Sequence, residues 1–215
     1  MVFLIVGILD MRFDYFLKTI TSNEREFCLL TFDDGPHPLH TPIILNILAK
    51  HDIKAIFFLI GKNVEEYPEL AKQIRDEGHL IGNHTNYHNP FTPLFSRNRL
   101  RNEIVQAQEV FKRILDLEVK MFRPPIGYTN PKYASILSEL NLQCVGWSLR
   151  SYDSVYKNPE KLKNRLLSKI KHKQIVLLHD TMEITAKILD SFISEAKSNG
   201  IIFASDKTVN SIIHD

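Results

Sequence analysis

From Glu26 onward, short and almost unbroken apolar runs alternate with longer stretches whose apolar residues recur every three or four positions. The short runs are Phe27–Phe32, Ala55–Ile60, Leu80–Asn83, Val119–Phe122, Gln143–Leu149, Ile175–Leu178 and Ile201–Ala204. Their length and continuous apolar character predict parallel strands buried on both faces. Between them, Leu100, Ile104, Ala107, Phe111 and Ile114 fall on one face of a helix. Thr41-Pro42 is expected to cap a helix carrying Ile44 and Leu48, and Asn158-Pro159 to open one carrying Leu162, Leu166 and Ile170. A last stripe, Ile184, Ile188, Phe192 and Ala196, runs to Gly200, a residue suited to the left-handed conformation that ends helices. Such alternation predicts an α/β domain with right-handed crossovers. Periodicity leaves open whether the sheet closes. In either form, active sites gather at the carboxyl ends of the strands.

Composition narrows the setting. A chain of 215 residues suits one domain with a sizeable core, here expected over residues 26–215 behind an extension of residues 1–25. Within the extension, Val2–Leu9 is apolar but too short to span a bilayer, and it lacks a charged leader and a small-residue cleavage site. It reads as an added strand or helix, or as the remnant of an anchor. The formal charge of +2, with no long basic run, does not indicate nucleic acid as a partner. Cys28 and Cys144 sit inside apolar runs and read as small buried hydrophobes.

Chemistry collects where the strands end. Asp33-Asp34-Gly35-Pro36 closes the first run and Asn83-His84-Thr85-Asn86-Tyr87-His88 the third. Arg123-Pro124-Pro125-Ile126-Gly127 follows the fourth, Arg150-Ser151-Tyr152-Asp153 the fifth, and His179-Asp180 the sixth. Taken singly, each has an ordinary reading: a solvated turn, a chance histidine pair, a surface arginine, a structural histidine. One sheet, however, would bring them all to one rim. His84 and His88 can face one metal if their segment turns helically. A carboxylate from a neighbouring strand end would complete two imidazoles and one oxygen, a set used by catalytic zinc and compatible with Co²⁺ or Mn²⁺. Adjacent aspartates on an extended chain point opposite ways, so one is expected to ligate and the other to serve as a base toward a metal-acidified water. Arg123 could hold that base ionised, and His179 could act as the acid for a leaving group.

Thr31–Pro36 (TFDDGP), His84–His88 (HTNYH), Arg123–Gly127 (RPPIG), the segment Trp147 to Asp153 and Leu177–Asp180 (LLHD) occur in the order seen in polysaccharide deacetylases. Over roughly Phe27 to Ala204 the chain resembles that family, carbohydrate esterase family 4, with its nodulation-type chitooligosaccharide deacetylase domain. The resemblance implies a distorted (β/α) barrel of about seven parallel strands. It implies Asp33 as catalytic base, Asp34, His84 and His88 as ligands of a divalent metal (zinc first), and Arg123 as support for the base. It further implies the Ile126 backbone N–H as oxyanion donor, His179 as catalytic acid and Asp153 as the group that orients it. The implied activity is removal of N-acetyl groups from amino sugars of a chitin-type or peptidoglycan-type glycan, with an extracytoplasmic or membrane-associated setting. An esterase or cyclic-amide hydrolase using the same metal, or a catalytically silent carbohydrate-binding protein, are the competing readings. Two positions depart from the family pattern: Arg150 stands where many members have Asp, and Ser154 where they have Trp. Ile126 likewise replaces a frequent aromatic, so the departures bear on substrate more than on chemistry.

Overall fold

A computed structural model of the chain describes residues 19–20 and 26–209. The strands are β1 (Thr19–Ile20), β2 (Leu29–Asp33), β3 (Ile56–Leu59), β4 (Leu80–Asn83), β5 (Met121–Phe122), β6 (Gln143–Val145), β7 (Leu149–Arg150) and β8 (Ile175–His179). The helices are α1 (His40–Lys50), α2 (Gly61–Glu66), α3 (Pro68–Asp76), α4 (Arg97–Leu115), α5 (Pro131–Glu139), α6 (Pro159–Lys169), α7 (Glu183–Ser198) and α8 (Asp206–Val209). Every strand pairing is parallel, in the order β1-β6-β5-β4-β3-β2-β8-β7. Strands β2 to β8 curl into a distorted (β/α) barrel, and β1 adds a short edge beside β6. Apart from Thr19–Ile20, the expected extension of residues 1–25 lies outside the described residues.

The run Gln143–Leu149, expected as one strand, is instead two. Gly146, Trp147 and Ser148 carry the chain from β6 to β7 at the far side of the sheet order, and the Ser148 amide donates to the Ile175 carbonyl at 3.0 Å. Among the described residues no ladder joins β6 to β7, so this crossing marks the seam of the barrel. Ile201–Ala204, also expected as a strand, contributes one bridge between Phe203 and Cys28.

Register explains why the strands read as continuously apolar. Leu29, Ile56, Phe58, Ile175 and Leu177 share one face with Thr31 and Asp33, while Leu30, Phe32, Phe57, Leu59, Val176 and Leu178 pack on the other. The second set meets Ile44 and Leu48 of α1, Phe111 of α4 and Phe192 of α7. Each such side chain, fully buried, contributes about 1.5–3 kcal/mol of transfer free energy.

Of the three end signals expected from the sequence, those at Asn158 and Gly200 hold. Asn158 caps α6, its side chain accepting from the Lys161 amide at 2.9 Å, with Pro159 first in the helix. Beyond α7, Gly200 has φ +86 and the Ile201 amide closes onto the Ala196 carbonyl at 3.0 Å. Thr41 is the exception: α1 begins at His40, two residues before Pro42, with Leu39 at the cap position. The Thr41 hydroxyl donates to Asp180 Oδ2 (2.6 Å) and accepts from the His37 amide (2.8 Å), so its oxygen serves the preceding loop rather than the first turn of the helix. Among the described residues no helix is long and apolar enough to cross a membrane.

Candidate active site

Asp33 is the last residue of β2, in register with Phe58 and His179, whereas Asp34 leaves the ladder with φ +77. The two carboxylates therefore reach different partners. Asp33 is buried, and its Oδ1 accepts from Arg123 Nη1 at 2.6 Å. Arg123 is not the surface residue its Pro-Pro context would allow; it is fully buried. Nη1 also donates to Thr31 Oγ1 (2.8 Å), Nε to the Val145 carbonyl (3.0 Å) and Nη2 to the Gly146 carbonyl (2.6 Å). The guanidinium carbon lies 4.0 Å from the Phe58 ring centroid and 5.7 Å from that of Trp147. Such saturation is what a buried cation requires, because burial disfavours its charged form while the Asp33 carboxylate favours it. Gly82, opposite Phe58 in β4, supplies the room: a Cβ there would stand 2.3 Å from Phe58 Cδ1.

His84 and His88 converge on Asp34, though not through a helical turn. Thr85 (φ +67) and His88 (φ +49) are left-handed. The loop is tied by the Thr85 amide donating to Asn83 Oδ1 (2.8 Å) and the His88 amide donating to Thr85 Oγ1 (3.1 Å). His84 Nδ1 lies 2.7 Å from the Arg123 carbonyl, a contact that assigns its proton to Nδ1 and leaves Nε2 free. Asp34 Oδ1 stands 3.4 Å from His84 Nε2 and 3.3 Å from His88 Nε2, buried and with no hydrogen-bond partner. Two ligands bound at about 2.0–2.1 Å to a tetrahedral ion stand about 3.3 Å apart. Both Asp34–imidazole separations match that spacing, and the three atoms lie within 4.8 Å of one another, a donor set that fits a divalent metal. Burial opposes ionisation of Asp34, but the nearby His84 imidazole, then His88 and His179, hold its carboxyl well below the usual range.

Across the site, His179 ends β8. Its Nδ1 lies 2.7 Å from Asp153 Oδ1, while Asp153 Oδ2 accepts from the His179 amide (2.8 Å) and the Thr185 hydroxyl (2.7 Å). Burial lowers the His179 pKa, but the Asp153 hydrogen bond and charge outweigh it, with help from Asp33 and Asp34, and push it up to about 9. Asp180, next in sequence, is buried beneath Gly35; burial first, then the charge of Asp34, pushes its carboxyl up to about 7.

Ile126 lies in the short turn Pro125–Gly127 with φ +53, and its side chain is 44% exposed. A β-branched residue in the left-handed region costs roughly 1–2 kcal/mol. Asp33, Asp34, His84, His88, Ile126 and His179 line one cleft of about 200 Å³. Arg123 and Asp153 stand behind it, so every site residue expected from the sequence is at one rim. Thr31, Phe58 and Thr185 were not expected there. Thr31 opens the Thr31–Pro36 motif without a role of its own there, and Phe58 is an inward strand position whose signal is alternation with outward neighbours. Thr185 sits in the first turn of α7 and carries no signal without the fold.

A family model described as polysaccharide deacetylase matches residues 21–145, more than half of the 215. A peptidoglycan-N-acetylglucosamine deacetylase of Bacillus cereus is 36% identical over 190 residues, covering 84% of this chain and 86% of that protein. Another from the same organism is 34% identical over 178 residues, and the match spans 81% of this chain but only 64% of the relative's length. Among solved structures, a peptidoglycan N-acetylglucosamine deacetylase in complex with 4-naphthalen-1-yl-N-oxidanyl-benzamide superposes with TM-score 0.81 and 31% identity, over 87% of this chain and 89% of that one. A family 4 pseudoenzyme from Bacillus anthracis superposes with TM-score 0.81 and 27% identity, over 91% and 70%. The fold is thus shared by proteins described as active and as silent.

Proposed function

Because the chain belongs to the polysaccharide deacetylase family, we propose that residues 26–215 form a metal-dependent hydrolase that removes N-acetyl groups from amino sugars of a poly- or oligosaccharide. The observation that carries this reading is the buried, unpartnered Asp34 Oδ1 facing two imidazole nitrogens, beside an Asp33 held by Arg123 in the same cleft. Asp34, His84 and His88 would hold the metal, with zinc first and Co²⁺ or Mn²⁺ as substitutes for this donor set. Such an ion supplies a Lewis acid for the acyl carbonyl and acidifies water.

The chain's own groups divide the remaining work. Asp33 takes the proton of the attacking water; its Oδ1 is engaged by Arg123 Nη1 at 2.6 Å, which leaves Oδ2 toward the cleft. The Ile126 N–H, in a turn fixed by the Gly127 amide bond to the Pro124 carbonyl (3.0 Å), donates to the oxygen that gains charge. Donors of this kind contribute about 2.7–4 kcal/mol to the barrier. His179, with Nδ1 committed to Asp153, protonates the departing sugar amine from Nε2. The products are acetate and a free amino sugar. A peptidoglycan or chitin-type glycan is the substrate class, by analogy with the names of the relatives.

The test is acetate release and loss of one acetyl mass per event from N-acetylglucosamine oligomers, with and without added divalent metal. Turnover of O-acetylated xylan but of no amide would reassign the protein as an esterase. Bound metal with no turnover of any acylated glycan would place it with the silent members.

A further inference from the structure

The cleft contains one more charged group, and the proposed reaction does not use it. Arg150 ends β7 in register with Leu177, a cleft-lining residue, and its half-buried side chain lines the cleft together with Asp34, His84, His88 and His179. Among the described residues its guanidinium has neither a hydrogen bond nor an ion pair; it lies 5.9 Å from the Trp147 ring centroid and 5.0 Å from that of Tyr152. The acids of the site are already engaged. Asp33 is held by Arg123, Asp34 faces His84 and His88, and Asp153 accepts from His179 and Thr185. The backbone that carries Arg150 is fixed separately, since Arg165 Nη1 donates to the Arg150 carbonyl at 2.8 Å. Beside it, Ser154 also lines the cleft and is small enough to leave space next to the guanidinium.

A half-buried cation with no counter-charge, laid against aromatic rings and fixed through its backbone, is prepared for an anion that comes with a ligand. Ring contacts satisfy the face of a guanidinium but not its N–H edge, and that edge matches the two oxygens of a carboxylate. We propose that Arg150 recognises a carboxylate substituent on the sugar entering the cleft. The preferred substrate is then an N-acyl amino sugar carrying an acidic side group, such as an O-lactyl ether, rather than its neutral counterpart. The turnover half of this inference rests on the deacetylase reading above; the binding half does not.

The experiment compares kcat/KM of the metal-loaded enzyme on a matched pair of oligosaccharides, one of N-acetylglucosamine and one whose acetylated sugar carries the lactyl carboxylate. The methyl ester of the second serves as a neutral, same-shape control. The wild type is expected to favour the carboxylate form by about ten- to a hundredfold, the range of a hydrogen bond to a charged partner. Arg150→Gln should collapse that ratio toward one, Arg150→Lys should restore part of it, and the methyl ester should behave as the neutral sugar. If Arg150→Gln lowers both substrates equally, or the wild type shows no preference, the inference is overturned. Binding of the two free sugars, followed by NMR on wild type and Arg150→Gln, separates the two readings. If neither glycan releases acetate, deacetylation is refuted, and a binding preference lost in Arg150→Gln still supports the role of Arg150. Equal binding by the wild type would refute it.

Discussion

Replacing Asp153 by Asn keeps the shape of the site and removes one negative charge from behind His179. Asp153, with help from Asp33 and Asp34, raises the His179 pKa from 6.5 to about 9 against the opposing effect of burial, a net shift of roughly 3 kcal/mol at about 1.4 kcal/mol per unit. With that charge gone and the burial retained, the imidazole should titrate well below the wild-type value. At pH 8 about nine-tenths of the wild-type imidazole is protonated, and a clearly smaller share should be in the variant. The sign for stability follows from the same shifts. The contribution of His179 is complete below its unfolded value near 6.5 and disappears as pH rises through about 9. That of Asp153, whose folded pKa is lowered, is complete above its unfolded value near 3.8 and fades as pH falls. Asp153→Asn should therefore destabilise most between roughly pH 4 and 6.5, by about 2–3 kcal/mol, and least above pH 9. Two assays read this: imidazole NMR titration of the metal-free protein, and the pH dependence of kcat/KM with metal present. A bound dication lowers the His179 pKa in both proteins, so the downward displacement of the alkaline limb in the variant survives. An unchanged midpoint for His179, or an alkaline limb that stays in place, would refute Asp153 as the source of the shift.

His84→Ala and Asp34→Ala should lose bound metal, while Asp33→Asn should retain it and lose acetate release; elemental analysis after gel filtration and an acetate assay give the two readouts. Arg123→Met should cost about 3–5 kcal/mol in urea denaturation, because it strands the buried Asp33 carboxylate and the carbonyls of Val145 and Gly146. Gly82→Ala places a Cβ within 2.4 Å of two Phe58 ring atoms. It should cost about 1–3 kcal/mol by overpacking and should also lower kcat through the Arg123 stacked on that ring.

What the sequence made legible, and what it did not, divides along physical lines. Parallel strands buried on both faces leave a signal within their own length, so Leu29–Asp33, Ile56–Leu59 and Ile175–His179 were visible as apolar runs. Caps made by adjacent residues were visible for the same reason, at Asn158 and Gly200. The split of Gln143–Leu149 was not, because β6 and β7 are equally apolar and differ only in which neighbour each strand meets. Thr41 misled because its hydroxyl oxygen accepts from the His37 amide of the preceding loop while its proton goes to the distant Asp180. Residues that touch the reacting groups announced themselves by type and place. Residues that hold those groups did not: Thr31, Phe58, Gly82 and Thr185 are ordinary in type, and only contact gives them a role.

The Asp33-Asp34 pair shows how a local liability becomes a division of labour. Two adjacent carboxylates repel, and an unbroken strand would merely aim them at opposite faces, one of them into the helix layer. The positive φ at Asp34 removes that outcome by taking the second residue out of the ladder as soon as the first has been placed. Asp33 keeps the inward direction set by its register with His179 and meets Arg123, whose other donors are consumed by backbone carbonyls at the barrel seam. Asp34 swings to where Asn83 and Thr85 have turned two imidazoles. The seam is therefore part of the site. Where the chain crosses from β6 to β7, the Val145 and Gly146 carbonyls accept from Arg123, and the Trp147 ring lies near both Arg123 and Arg150. Without those two carbonyls the buried guanidinium, and with it Asp33, would lose the support that the proposed proton transfer requires.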